Sequence, residues 1–418
     1  SHSAPPGRIA VSLSTGCSMS ASILTRVEMA PGDPILGVTE AFVADANPNK
    51  VNLGVGVYCD DNGKVPLLES VRRAERQRLE AAPPHSYLPI DGLQSYDRAV
   101  MVLVFGAELA KSGRILTVQA LGGTGGLKIG ADFLKRINPE AQVWISDPSW
   151  ENHRALFENA GFAVNSYPYY LPATHGLDFD GMLRALDGMR AGSIVVLHAC
   201  CHNPTGVDLS HEQWRRVLEA VKRRELVPFL DLAYQGFGDG IDADGYAVRL
   251  FAESYSPIFV SSSFSKSFSL YGERVGAFSL LTGRPDEAVR ALSQIKRLVR
   301  TNYSNPPRHG GQIVATVLAT PELRALWEQE LGAMRDRIKA MRKALVDEIH
   351  SRVPRIDFGF ILDQRGMFSY SGLTKAQVER LRKEYAVYAI ETGRICVAAL
   401  NSKNVDYVAD AIAKVIST

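Results

Sequence analysis

The sequence predicts an α/β protein with a large domain, in which helices cover a mostly parallel sheet, and a smaller α+β domain. Three observations carry this expectation. From about residue 115, short β-branched runs alternate with helical stretches. Those runs are almost continuously apolar, as strands buried on both faces must be. A long helical segment with a single apolar stripe then separates this region from a mixed C-terminal part. The length of 418 residues suits two domains better than one core.

The elements follow in order. "RILTVQAL" precedes the helix-like "GLKIGADFLKRI", and "AQVWISDP" precedes "WENHRALFENAG". "SIVVLHAC" precedes "SHEQWRRVLEAVKRRE", after which come "VPFLDLAY" and "PIFVSSSF". Further on, Leu331, Met334, Ile338, Met341, Leu345 and Ile349 recur three or four apart, giving one face of a long helix. Residues 66–333 are assigned to the large domain, and 33–65 with 334–418 to the small one. Residues 19–32 read as an N-terminal arm. "SHS" looks like an expression scar, and residues 1–18 are expected to be a non-native, disordered extension, with Met19 a better native start.

Composition excludes several classes. Apolar content of 46% and charged content of 22% are those of a globular protein, and a net charge of +2 offers no field to recruit nucleic acid or membrane. The clusters "RRAERQR" and "KRRE" mix signs at helical spacing and read as solvated helix faces. No apolar run approaches the ~18 residues of a membrane span. Five cysteines, an odd number without paired spacing, point to a reducing, cytoplasmic setting.

Ligands of open parallel sheets bind beyond the carboxyl ends of the strands. Here the strand "VPFL" runs into Asp231 and then Tyr234, and "SIVVLHAC" into "CHNPTG" with Asn203. "QVWIS" runs into "DPSWENH" with Trp150 and His153, "PIFVSSSF" into Ser265 and Lys266, and "TVQAL" into "GGTGG". Five strands ending in polar or aromatic groups at one edge make a site.

The glycine loop, with Gly123 and Thr124, allows backbone N–H groups close approach to an anion. It lacks the ending of a P-loop, and Lys128 stands where a dinucleotide motif has its third glycine. A plain tight turn is the alternative. Arg274 and Ser265 add a bidentate donor and a hydroxyl suited to phosphate, although Arg274 could instead pair with Glu273. Lys266 at a strand end loses hydration, which exposes a nucleophilic amine. An amine, a phosphate cradle, a buried carboxylate and a stacking aromatic are together what pyridoxal phosphate requires. Asp231 would keep the pyridine nitrogen protonated; the alternative is a helix N-cap.

Three other readings compete. Ser263-Phe-Ser-Lys266 matches S-x-x-K, yet the S-D-N and K-T-G elements of such hydrolases are missing. "HACCH" at 198–202 could hold a metal, but strand alternation would turn Cys201 away from His198 and Cys200, so no metal site is expected. A cofactor-binding regulator would need a partner or DNA-reading domain, and no spare segment is long enough.

"HNPTG" (202–206), "DLAYQGF" (231–237) and "SFSKSFSLYGERVGA" (263–277) closely resemble the class I aminotransferases of the aspartate and aromatic amino-acid branch. "NLGVGVY", "YLPIDG", "SDPSWENH", "YSNPP" and "GMFSYSGL" agree, in family order, from about residue 19 to the end. The resemblance implies the pyridoxal-phosphate-dependent transferase fold of type I. It implies that Lys266 anchors the cofactor covalently and then serves as base, in a ping-pong reaction alternating between pyridoxal and pyridoxamine phosphate. Asp231 would pair with the pyridinium, backed by His153, with His198 a supporting core residue. Tyr234 and Asn203 would bond the phenolic oxygen and Trp150 would stack on the ring. Gly123, Thr124, Ser263, Ser265 and Arg274 would hold the phosphate, with Tyr87 reaching over from the other subunit of a homodimer. Arg394 would clamp the substrate α-carboxylate, and Arg300 of the neighbouring subunit a distal carboxylate. Gly56, Trp150 and Asn203 would border the substrate.

Glutamate and 2-oxoglutarate are the expected common pair. Aspartate-specific members carry lysine, threonine and asparagine where this chain has Cys59, Val65 and Ser86, and these changes lower the polarity around the pocket. Thr124 and Asn305 remain as in aspartate enzymes. The expectation is an enzyme for tyrosine, phenylalanine and aspartate; the alternative is a strict aspartate aminotransferase.

Overall fold

The computed structural model describes residues 22–418. The extension expected over 1–18, and residues 19–21 of the expected arm, lie outside the described residues.

Seven strands form the central sheet: β1 (Ile115–Leu121), β2 (Val143–Asp147), β3 (Val164–Pro168), β4 (Ile194–His198), β5 (Val227–Leu232), β6 (Ile258–Ser263) and β7 (Val275–Leu281). They lie in the order β1-β7-β6-β5-β4-β2-β3. Only β7 is antiparallel to its neighbours, β1 and β6. The other six therefore point one way, and their carboxyl ends share one edge. β3 and β7 were not foreseen. β3 is an edge strand with the polar sequence VNSYP, and β7 is the buried run VGAFSLL, which follows directly on the Lys266–Arg274 motif.

Both faces of the inner strands are buried. Val195, Leu197, Leu230 and Val260 face one core, while their neighbours Ile194, Val196, Phe229 and Phe259 face the other. This two-sided burial is why the strands read as continuous apolar runs. The helix Gly122–Ile137 covers the second face against β1, β6 and β7; Gln94–Phe105 and Tyr246–Ser254 cover the first.

The long helix runs from Pro321 to Arg352. Leu331, Met334, Ile338, Leu345 and Ile349 are buried along it and Met341 is half-buried, as the stripe requires. Near its start Trp327 is buried, stacks on Phe268 at 4.5 Å between ring centroids, and donates from Nε1 to the Ser267 carbonyl at 2.7 Å. This fixes the loop that carries Lys266.

Two short ladders join distant parts of the chain. Val51–Asn52 pairs in parallel with Val387–Tyr388, and Phe368–Tyr370 antiparallel with Arg394–Cys396. Among the described residues no helix is long and apolar enough to cross a membrane.

Candidate active site

The register of the sheet assembles the centre of the site. Asp231 lies inside β5, opposite His198 of β4 and Ser261 of β6, so it is no helix N-cap. His153 Nε2 sits 2.7 Å from Asp231 Oδ2, and its Nδ1 is 2.8 Å from the Ser149 hydroxyl, which also reaches His198 Nε2 at 3.2 Å. Burial alone pushes the Asp231 carboxyl up; the hydrogen bond and charge of His153, with Lys266 nearby, outweigh it and hold the group below its ordinary value. Burial, with His202 and His153 close by, keeps His198 far below its ordinary value and therefore neutral.

Lys266 follows β6, with Nζ 5.0 Å from the centroid of the Tyr234 ring. Burial lowers its ammonium to about 8, against the pull of Asp231 and with the push of Arg274. About one amine in ten is therefore free at pH 7. Tyr234 is buried, and its hydroxyl is pushed well up by that burial.

The glycines expected in a loop belong to the helix itself, which begins at Gly122. Its first-turn N–H groups have no intrahelical partners and carry the positive end of the dipole. Close packing explains the glycines: a Cβ on Gly276 of β7 would lie 2.3 Å from the Gly122 carbonyl carbon. A Cβ on Gly123 would stand 3.2 Å from that of Ser263, narrowing the cradle between them. Arg274 makes no ion pair with Glu273; its Nη1 donates to the Tyr271 carbonyl at 3.1 Å.

One cavity of about 230 Å³ joins these groups. Gly56, Gly123, Thr124, Trp150, His198 and Asn203 line it, as do Asp231, Tyr234, Ser263, Ser265, Lys266, Arg274 and Arg394. His153 stands behind it, fully buried, edge-on to Trp150. Arg394 is buried: Nη2 donates to the Gly54 carbonyl at 3.0 Å, Nη1 to Asn203 Oδ1 at 3.4 Å, and Nε has no partner. Its guanidinium lies over the Phe368 ring at 4.2 Å.

Tyr87 and Arg300 are not part of this cavity. Tyr87 is 88% exposed, and Arg300 is exposed and donates to Ser304 within its own chain. Cys59, Val65 and Ser86 do not line it either. Conversely, sequence reading missed Ile35, Phe368 and Ser149. Phe368 and Ser149 stood inside recognised motifs; Ile35, on the helix Pro34–Ala44, carried no signal.

Residues 48–412 match the family model described as aminotransferase class I and II. The chain belongs to that family. It is 60% identical to an aspartate aminotransferase of Pseudomonas aeruginosa over 94% of this chain and all of the relative. It is 51% identical to an aromatic-amino-acid aminotransferase of Escherichia coli, over 94% of this chain and 99% of that one. Among solved structures, an aromatic-amino-acid aminotransferase of Burkholderia pseudomallei covalently bound to pyridoxal phosphate superposes with a TM-score of 0.93. That pair is 65% identical over 94% of this chain and 99% of the other.

The residues present in this family member fit pyridoxal phosphate. A helix N-terminus, three hydroxyls and an arginine converge where a phosphate dianion needs donors, and the cradle stays open because position 123 lacks a Cβ. The amine and the anionic carboxylate share the same cavity.

Proposed function

We propose that this chain is a pyridoxal-phosphate-dependent aminotransferase for tyrosine, phenylalanine and aspartate, with glutamate and 2-oxoglutarate as the common pair. The observation that carries this reading is the single cavity shared by the low-pKa Lys266, anionic Asp231 and the incompletely paired Arg394. Relatives bearing both the aspartate and the aromatic names support the breadth. A strict aspartate enzyme is the competing reading.

The cofactor, when bound, supplies an aldehyde and an electron-withdrawing ring. The chain supplies the rest. Lys266 Nζ would be the covalent anchor and the base positioned to take a proton from the substrate α-carbon. Asp231 has Oδ1 free for a ring N–H, since His153 occupies Oδ2. Arg394 pairs with the α-carboxylate, and its unpartnered Nε is a donor in reserve for that role. Tyr234 and Asn203 would hold the ring oxygen, Trp150 would cover the ring face, and Gly56 would leave room for substrate. Gly123, Thr124, Ser263, Ser265 and Arg274 would take the phosphate.

A homodimer completes the site, with Tyr87 and Arg300 entering from the neighbour. Their exposure supports this, as does an arm whose Ile23, Leu24, Val27 and Met29 are all at least 70% exposed. The division into a large domain (66–333) and a small one (33–65 with 334–418) is supported by the Val51–Asn52 ladder with Val387–Tyr388. Free thiols at the described cysteines fit a cytoplasmic setting.

The test is an absorption spectrum of the loaded enzyme before and after single amino acids are added without any keto acid. Conversion to the pyridoxamine form by glutamate, aspartate and phenylalanine is expected. Conversion by the first two alone, with kcat/KM favouring aspartate over phenylalanine more than about a thousandfold, would establish the strict enzyme. No cofactor band after reconstitution would refute both.

A further inference from the structure

A second cavity, of about 330 Å³, borders the first at Cys200. Cys200 lines both, and Asp208, Asp244 and Arg365 line the second. The alternation expected along 198–202 fails here, because β4 stops at His198 and Cys201 takes a left-handed φ of 51°. The Asp208 carboxylate secures that turn by accepting the N–H groups of Cys201 and His202 at 2.8 and 2.9 Å. As a result the sulfurs of Cys200 and Cys201 and a carboxylate oxygen of Asp244 lie within 4.8 Å of one another.

We propose that Cys200, Cys201 and Asp244 form a binding site for a thiophilic divalent cation of the zinc or cadmium type. A water from the adjoining cavity completes the tetrahedron. Two sulfurs and one oxygen are a donor set that selects such ions over magnesium or calcium. Metal–sulfur bonds of about 2.3 Å place tetrahedral sulfurs roughly 3.8 Å apart, so the three ligands need move by only about 1 Å. Asp244 is held for the task. Its Oδ2 accepts from Gly236 and Gly238, whereas Oδ1 accepts only from Asp239, leaving a lone pair free.

The exchange conserves charge. Binding releases two protons and admits a dication, so the net charge of the buried cluster does not change. Arg342, 3% exposed, stands by as a buried cation that donates only to the Gly366 and Phe368 carbonyls and the Ser369 hydroxyl. Asp208 and the Arg365–Asp239 pair are the remaining charges that face the cluster. The Cys201 thiol donates to the carbonyl of Tyr234, a residue lining the first cavity, at 3.9 Å. The site does not depend on the cofactor reading.

The test is a cadmium titration of the cofactor-loaded, metal-stripped enzyme. One equivalent should bind with a thiolate-to-cadmium charge-transfer band and the release of two protons. C200S and C201S should each weaken binding about a hundredfold, and C59S should not. Absence of the band, or release of fewer than two protons, overturns the proposal on the wild-type protein, whether or not the variants fold. Unchanged affinity in both serine variants overturns it as well.

Discussion

His153 Nε2 and Asp231 Oδ2 are 2.7 Å apart at the bottom of the sheet edge, and both residues are buried. That pair decides the charge at the centre of the pocket. Without the imidazole, burial would govern the carboxyl and raise it. His153→Asn should therefore move the acid limb of the kcat/KM profile to higher pH, because Asp231 would need a higher pH to ionise. Asp231→Asn should lower kcat by about a hundredfold or more at every pH. A pH-rate series on the two variants separates positioning from charge.

The free amine of Lys266 should set the rate at which stripped enzyme recaptures cofactor. That rate should rise with pH and level off above a midpoint near 8, because the amine attacks only when deprotonated. A midpoint near the ordinary lysine value would contradict the burial seen here. Lys266→Ala should lose roughly 10⁴-fold in turnover with the base removed.

The two arginines should separate kinetically. Arg394→Lys should reduce kcat/KM by about a hundredfold for every amino acid, since an ammonium cannot make the forked pair. Arg300→Ala should lower it for aspartate and glutamate while leaving phenylalanine within a few-fold. Equal losses across all substrates would remove Arg300 from side-chain recognition.

Packing around the lysine loop has its own signature. Trp327→Phe strands the buried Ser267 carbonyl and should destabilise the protein by about 1–3 kcal/mol, read from denaturant midpoints. Gly276→Ala forces a Cβ into the Gly122 backbone and should weaken cofactor affinity more than it lowers the melting temperature.

Lys266, Asp231 and the serines were legible in the chain because each directly follows or ends an apolar run, and strand direction alone brings strand ends to one edge. The doubly buried sheet was legible for the same local reason, since a strand without polar alternation has two apolar neighbours. Other features were settled by contacts that no local pattern records. Arg394 meets Asn203 across 191 positions of chain, through a ladder only three residues long. Ile35 reaches the pocket from a helix with no buried residue of its own. The convergence of Cys200, Cys201 and Asp244 depends on one left-handed residue held by Asp208, which alternation along a strand would have denied. The sequence by itself thus determined the sheet and the chemistry at its strand ends, because burial writes a periodic signal into each segment. Tertiary structure alone decided which distant side chains close the pocket, because packing between segments leaves no such period.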